Sequence, residues 1–222
     1  MNPTTTTRPL PLAALALSAA CLIGCDNPAD STFTTEATDA KEVTETQAPD
    51  DALTLELTGD NTTVGWTGSK PTGSAHDGGF KALAGTAVIA DDALLSIEAT
   101  IDITSMWSDN DKLTAHLLND DFFASETYPE SRFVSTSIRE ATDDERTEET
   151  ADATHFITGN LTLLDETKSI EFPVTVTADG SAYKLKAEFD INRGQFGMDY
   201  GLADAAIRDE VVIRLSFDLP KP

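Results

Sequence analysis

Residues 95–103 read LSIEATIDI, and apolar and polar side chains alternate along this stretch without interruption. Leucine, isoleucine and alanine hold every second position from Leu95 to Ile103, and polar residues hold the positions between them. Successive side chains of an extended chain point to opposite faces, so this period predicts a β-strand with one buried face and one solvated face. Strands of this kind are typical of antiparallel sheets that pack on one side.

The same alternation recurs on both sides of this strand. The alternating segments are 53–57, 64–66, 80–90, 133–139, 155–164, 170–176, 183–191 and 211–219. Turn residues such as Asp165-Glu166 and Asp179-Gly180 separate several of them. About eight short strands predict a mostly β, antiparallel barrel or sandwich. A small barrel with an apolar interior either is filled by its own side chains or holds one ligand, and the pattern leaves both outcomes open.

The segment 109–133, DNDKLTAHLLNDDFFASETYPESRF, interrupts the alternation. Its first half has a helical period, because Leu113, Leu117 and Leu118 share one face of a helix. Asp109 is a suitable N-cap for that helix. We therefore expect a short helix at one end of the barrel.

Two adjacent aromatic residues, Phe122 and Phe123, follow this helix, and the Tyr128-Pro129 pair excludes its continuation. Burying one phenylalanine side chain contributes about 1.5–3 kcal/mol, so we expect the pair to turn towards the apolar interior. The segment is then either a plug that fills the core or a lid over a cavity.

The first residues have the pattern of an export signal. Arg8 precedes an apolar run from Leu10 to Cys25, which is shorter than the roughly 20 residues that a membrane-spanning helix needs. The run ends in Leu-Ile-Gly-Cys and resembles a bacterial lipobox, in which the cysteine becomes the lipidated first residue of the mature protein. We interpret residues 1–24 as a lipoprotein signal peptide and Cys25 as the membrane anchor. An ordinary signal peptide is the alternative.

The composition changes after Cys25. Residues 26–51 are rich in Thr, Ala, Asp, Glu and Pro, and Phe33 and Val43 are their only large apolar residues. Such a segment buries too little surface to offset its ordering entropy, so we predict a disordered acidic tether over 25–51. About 25 flexible residues span roughly 25–30 Å and would hold the domain 52–222 clear of a membrane of the bacterial cell envelope, facing the periplasm or the exterior.

The charge and the motif content exclude several functions. A formal net charge of -24 argues against nucleic acid, because phosphate backbones require a basic surface. With Cys25 lipidated and Cys21 removed, the domain has no thiol nucleophile, disulfide or thiolate metal site. The chain has three histidines and lacks the GxSxG, SxxK and HExxH motifs. The sequence therefore predicts no enzyme, no cofactor and no metal site.

Several motifs together resemble the YceI-like family. They are WTGSK at 66–70, HDG at 76–78, KLTAHLLNDDFFASETYPESRFVST at 112–136, GNLTLLDETKSIEFPVTV at 159–176, INRGQFGMDY at 191–200 and RDEVVIRLSFDL at 208–219. The resemblance covers 53–219 in the family's order. The chain departs from the family at Thr114, where an acidic residue is common, and at Asp165, where a glycine is common.

The resemblance implies a lipocalin-like antiparallel barrel with a long apolar pocket. Its ligand would be a polyisoprenoid, a quinone-like tail, a fatty-acid derivative or another long-chain amphiphile. The candidate pocket residues are then Ile97, Ile101, Leu117, Phe122, Phe123, Phe133, Phe156, Phe172, Phe189 and Phe196.

Four polar residues are candidates for contact with a ligand head group. Lys70 and His76 would lie at the barrel mouth, where their alternative role is to stabilise a glycine-rich loop. Arg193 suits a carboxylate or a phosphate, and its alternative role is a buried salt bridge. His116 lies next to the apolar face of the helix, and its alternative role is structural.

Three functions follow from these features. The first is a membrane-tethered carrier of a long-chain lipid, and the second is a structural or interaction module with a filled barrel. The third, and the least supported, is a lipid-modifying enzyme. The sequence also leaves open whether the protein forms a homodimer.

Overall fold

The computed structural model describes residues 27–44, 48–199 and 201–222, without the side chains of residues 202–204. The predicted signal peptide 1–24 and Cys25 lie outside these residues, so both remain predictions. Within the described ranges the α-helix is α1, Asp111–Leu117. The strands are β1 (Phe33–Thr34), β2 (Thr38–Asp39), β3 (Leu53–Thr58), β4 (Thr62–Ser69), β5 (Ala75–Phe80), β6 (Leu83–Ala90), β7 (Ala93–Asp102), β8 (Met106–Ser108), β9 (Glu130–Glu140), β10 (His155–Leu163), β11 (Glu166–Ala178), β12 (Ala182–Asn192) and β13 (Glu210–Pro220).

The strands join in one curled sheet. Their order is β3-β6-β7-β9-β10-β11-β12-β13-β4-β5-β8, and all neighbours in this order are antiparallel. The strands β3 and β4 stand far apart in the order, yet the short turn 59–61 joins them directly. Gly59 packs so closely on the Lys81 carbonyl, in the β5–β6 link, that a side chain there would collide with it. The two halves of the sheet therefore face each other, and the expected mostly β, antiparallel, lipocalin-like fold is confirmed.

The stretch 95–103 lies largely in β7, and a β-bulge near its start changes the predicted alternation. Ser96 pairs with Val88 and Leu94 pairs with Ile89, so Leu95 is the extra residue. Leu94, and not Leu95, belongs to the buried core at this end of the strand. The predicted inward position of Leu95 is wrong, because a bulge shifts the alternation by one residue.

Part of the predicted tether packs against the sheet. Residues Pro28–Ser31 form a 3-10 turn, β1 pairs in parallel with β12, and β2 pairs with β11. The hydroxyls of Thr32 and Thr34 donate to Asp190 Oδ2 at 3.1 and 2.9 Å. Asp190 is fully buried, and burial raises the pKa of its carboxyl.

The prediction of disorder over 25–51 is therefore wrong for residues 28–39. Composition describes the segment in isolation, and in isolation it buries little surface. In the structure Ala29, Phe33 and Ala37 pack on the sheet, and threonine hydroxyls supply hydrogen bonds that composition does not reveal.

The acidic loop between β9 and β10 is held by one arginine. Both terminal nitrogens of Arg139 donate to the Glu145 carboxylate, at 2.9 and 2.7 Å, and one also reaches Glu171 at 3.2 Å. The amide and hydroxyl of Thr142 donate to Glu145 Oε2 at 2.9 Å. The hydrogen bonds from Arg139 and then Thr142 lower the pKa of Glu145 from 4.5 to about 2.

Acidification should loosen this loop. A carboxyl whose folded pKa is depressed stabilises the folded form above its unfolded pKa, and that contribution is lost as the pH falls through the folded value. For Glu145 the window runs from about 4.5 down to about 2. We expect NMR titration of the Glu145 carboxyl and the Thr142 amide to show a shared transition within it. Glu145→Gln should remove the transition at Thr142, and a Glu145 carboxyl that titrates at its ordinary value would contradict the prediction.

The helix α1 begins one residue later than its sequence suggests. The Asn110 side chain caps it by accepting hydrogen bonds from the amides of Lys112 and Leu113, at 3.0 and 3.3 Å. The predicted N-cap, Asp109, instead accepts hydrogen bonds from β5. Among the residues that the structure describes, no helix has the length and hydropathy of a membrane span.

Candidate ligand-binding cavity

The curled sheet and α1 surround a cavity of about 280 Å³. Small-molecule sites occupy roughly 300–1,000 Å³, so this cavity is slightly smaller than the lower limit of that range. Its wall is mainly aliphatic and aromatic. The apolar side chains of the wall include Leu57, Val64, Ile97, Ala99, Ile101, Ile157, Leu161, Leu185, Ile191, Val211, Ile213, Leu215 and Phe217. The inward faces of the strands therefore do not fill the interior completely.

Three aromatic side chains form a continuous part of this wall. Phe172 stacks on Phe189 with 4.3 Å between ring centroids, and Phe133 packs against Phe172 at 5.7 Å. These residues lie on β9, β11 and β12, each at an inward-facing position of its strand, so that each ring borders the cavity. Such rings offer a long carbon chain broad apolar contact.

The helix α1 and the phenylalanine pair close one end of the cavity. Leu117, Phe122 and Phe123 all border it. The amide of Phe123 donates to the Leu117 carbonyl at 3.0 Å, which turns the chain back under the helix. Phe122 is 8% exposed and Phe123 is half-buried. The prediction that the pair turns inward is confirmed, and the pair borders a cavity, as a lid does.

The predicted site residues divide into two groups. Those that line the cavity are Ile97, Ile101, Leu117, Phe122, Phe123, Phe133, Phe172, Phe189, Lys70, His76 and Arg193. Those that do not line it are Phe156, Phe196 and His116. Ligand contact by the first group remains a prediction, because position in a wall does not establish binding.

The placement of Phe156, Phe196 and His116 at the cavity was wrong. Phe156 lies on the other face of β10 from Ile157, where it packs against Phe33 with 5.9 Å between ring centroids. Phe196 is fully buried in the 3-10 turn that follows β12. His116 lies 3.7 Å from the Asp121 carboxylate and meets the Phe122 ring edge-on.

Basic side chains lie together at the α1 end of the cavity. Those that border it are Lys70, His76, Arg193 and Arg208, and no Asp or Glu of the described residues does. The fold brings them together, because Gly68 at the end of β4 pairs with Val211 and the Arg208 amide donates to the Ser69 carbonyl at 2.9 Å. In a chain with 39 acidic residues, this makes the cavity distinct from the surface.

Two of these basic side chains are bound by other groups of the protein. His76 Nδ1 lies 2.8 Å from Asp109 Oδ1, and this hydrogen bond lowers the pKa of the Asp109 carboxyl. Arg193 is 4% exposed and donates to the Met198 carbonyl at 2.6 Å, to the Arg208 carbonyl at 3.1 Å and to Asp209 at 3.0 Å. These contacts correspond to the alternative role that the sequence suggested for Arg193, a buried salt bridge.

Sequence reasoning missed several polar residues of the wall, among them Trp66 and Arg208. Trp66 could have been found, since it keeps the inward phase of Val64 on β4 and faces Gly78, where a side chain would collide with the indole ring. Arg208 could not have been found in this way. It lies in the connection between β12 and β13, where no alternation of polar and apolar residues indicates which face a side chain takes.

A curled antiparallel sheet around an apolar cavity places the protein in the lipocalin-like class of β-barrels. Residues 55–219 match the YceI-like domain, and the chain belongs to the YceI-like family.

Individual relatives share only a modest sequence identity with this chain. A UPF0312 protein of Pseudomonas putida is 31% identical over 84 residues, which make up 38% of this chain and only 39% of the relative's length. The crystal structure of Burkholderia cenocepacia BcnA superposes with a TM-score of 0.59 at 22% identity, over 72% of this chain and 96% of that one. A polyisoprenoid binding domain from Saccharophagus degradans, implicated in plant cell wall breakdown, superposes with a TM-score of 0.56 at 15% identity, over 76% of this chain and 98% of that one. These two likenesses establish the fold.

Proposed function

We propose that this protein is an envelope lipoprotein that binds or carries a long-chain apolar lipid in the barrel interior. The lipid would be a polyisoprenoid, a quinone-like tail or a fatty-acid derivative. The observation that carries the proposal is the cavity of about 280 Å³ with its apolar wall. Each methylene that moves from water to such a wall contributes about 0.8 kcal/mol, so a long chain gains affinity without any reaction.

One structural relative supports this choice of ligand. The Saccharophagus degradans domain is described as polyisoprenoid binding, and it shares the fold over 98% of its length. The aromatic wall of Phe133, Phe172 and Phe189 suits an unsaturated or branched chain as well as a straight one.

Binding agrees with the cavity better than the two alternatives do. A structural module with a filled barrel requires a packed interior, whereas this interior keeps a cavity. A lipid-modifying enzyme requires a placed general acid or base. Among the described residues of the wall, Lys70 and His76 are the groups of this kind, and no carboxylate joins them there.

Membrane attachment through a lipid on Cys25 is the second part of the proposal. It rests on the Leu-Ile-Gly-Cys motif and on the apolar run that precedes it. Replacing Cys25 by serine should release the protein from the membrane fraction and remove the acyl mass from its mature N-terminus. A Cys25→Ser protein that stays in the membrane would contradict the anchor.

Solvent extraction tests the carrier function directly. The full chain is purified from its native membrane in a mild detergent and extracted with organic solvent, and the extract is examined by mass spectrometry. We expect one class of long-chain lipid in near-stoichiometric amount, and saturable uptake of that lipid by the extracted protein. Extracted protein that takes up no long-chain lipid would overturn the proposal.

A further inference from the structure

Two buried hydrogen-bond donors on the cavity wall have no acceptor. They are Trp66 Nε1 and Arg208 Nε, and neither has a hydrogen-bond partner within the described part of the chain. Trp66 is 8% exposed, and both residues border the cavity. The one buried acceptor without a partner in the same residues, Asp190 Oδ1, belongs to a side chain that does not border it.

Unpartnered donors of this kind are unusual. Buried polar groups in native proteins nearly always have a hydrogen-bond partner, and leaving one without costs about 1–3 kcal/mol. Arginine stays charged at every physiological pH and only donates. The group that would complete this wall is therefore an acceptor, and beside a guanidinium it is most favourably an anion.

The surroundings of Arg208 favour an anion further. Lys70 borders the cavity at the same end, is exposed to solvent and forms no ion pair within the described residues. The nearby carboxylates of Asp109 and Asp209 are already engaged by His76 and Arg193. The wall itself contributes cations and no carboxylate among the residues that the structure describes.

We propose that Arg208, with Trp66 and Lys70, recognises the anionic head group of the bound lipid, a carboxylate or a phosphate. This inference rests on the proposed function and adds selectivity to it. The head group lies at the α1 end, where Lys70 is exposed, and the chain extends along the aromatic wall. Arg193 borders the same end but donates to the protein, so its role is to position the loop that carries Arg208.

The test compares ligands that differ only in the head group. The full chain, extracted as above, carries Trp107→Phe, because Trp107 is 41% exposed and its removal leaves Trp66 as the sole tryptophan reporter on the cavity wall. It is titrated with a C20 isoprenoid alcohol, the corresponding monophosphate and the corresponding carboxylic acid. We expect at least one anion to bind roughly 10- to 100-fold more tightly than the alcohol.

The Arg208→Gln variant should lose this preference, because its affinity for the anions should fall more than its affinity for the alcohol. The matched control is Arg132→Gln, because Arg132 is an exposed arginine that pairs with Glu98 and does not border the cavity. The Arg132→Gln variant should prefer the anions over the alcohol as strongly as the parent protein does. The difference between monophosphate and carboxylate identifies the head group.

Two results separate failure of the inference from failure of the function. Equal binding of all three ligands, unchanged by Arg208→Gln, would overturn head-group recognition and leave the carrier function standing, with water as the partner of both donors. Binding of none of the three, together with a lipid-free extract, would overturn the carrier function itself.

Discussion

Replacing Ala99 by phenylalanine should abolish the uptake of long-chain lipid while leaving the barrel folded. Ala99 lies on β7, pairs with Phe133 and borders the cavity. A benzyl group at this position enters space that the ligand is proposed to occupy. Because the group fills a cavity and does not displace packed atoms, we expect the free energy of unfolding to change by less than about 1.5 kcal/mol. Affinity should fall by more than roughly 100-fold, equivalent to the loss of about 2.7 kcal/mol.

The matched control is Ala84→Phe. Ala84 lies on the neighbouring strand β6, is exposed and does not border the cavity. Lipid titration and chemical denaturation of both variants separate blocked binding from damaged folding. If Ala99→Phe binds lipid like the parent protein and remains folded, the cavity is not the binding site.

Replacing Arg193 by alanine should instead lower stability. The Arg193 guanidinium is 4% exposed and ties the Met198 and Arg208 carbonyls and the Asp209 carboxylate together. Its removal leaves the Met198 and Arg208 carbonyls without this donor, and it leaves the half-exposed Asp209 carboxylate without its ion pair. Hydrogen bonds to charged groups contribute about 1.5–3 kcal/mol each, so we expect a loss of about 2–4 kcal/mol in the free energy of unfolding, measured in urea.

Two comparisons make this result specific. Arg132→Ala removes an exposed arginine and should change stability by less than about 1 kcal/mol. Arg208→Gln should likewise leave the urea midpoint unchanged while it changes ligand preference. An Arg193→Ala protein with parental stability and impaired lipid binding would assign Arg193 to the ligand, the other role that its sequence suggested.

The fold could be predicted from the sequence because the strands are one-sided. Ile97 and Ile101 repeat an alternation that only a sheet with one buried face explains, and the same pattern identifies the inward phase of Phe172 and Phe189. The bulge at Leu95 could not be predicted in the same way, because an extra residue leaves no mark in an alternating sequence.

The site was predictable in its apolar part and much less so in its polar part. The family resemblance grouped Phe156 and Phe196 with the other aromatic pocket residues, although only the phase of the strand or turn decides which side a ring takes. Arg208 lies in a connection whose path is set by tertiary contacts with β4. The sequence of such a connection does not show which side of the sheet its charged side chains will face.

The attachment of residues 28–39 to β11 and β12 changes how the protein would meet its membrane. If Cys25 carries the proposed lipid, the chain from it to the docked turn at Pro28 can extend by at most about 3.6 Å per residue, which limits the separation to roughly 11 Å. The barrel would then rest on the bilayer surface with a fixed side towards it, and it would not move freely on a long flexible tether. Cargo would pass between bilayer and barrel by direct contact, over a distance shorter than the cargo itself.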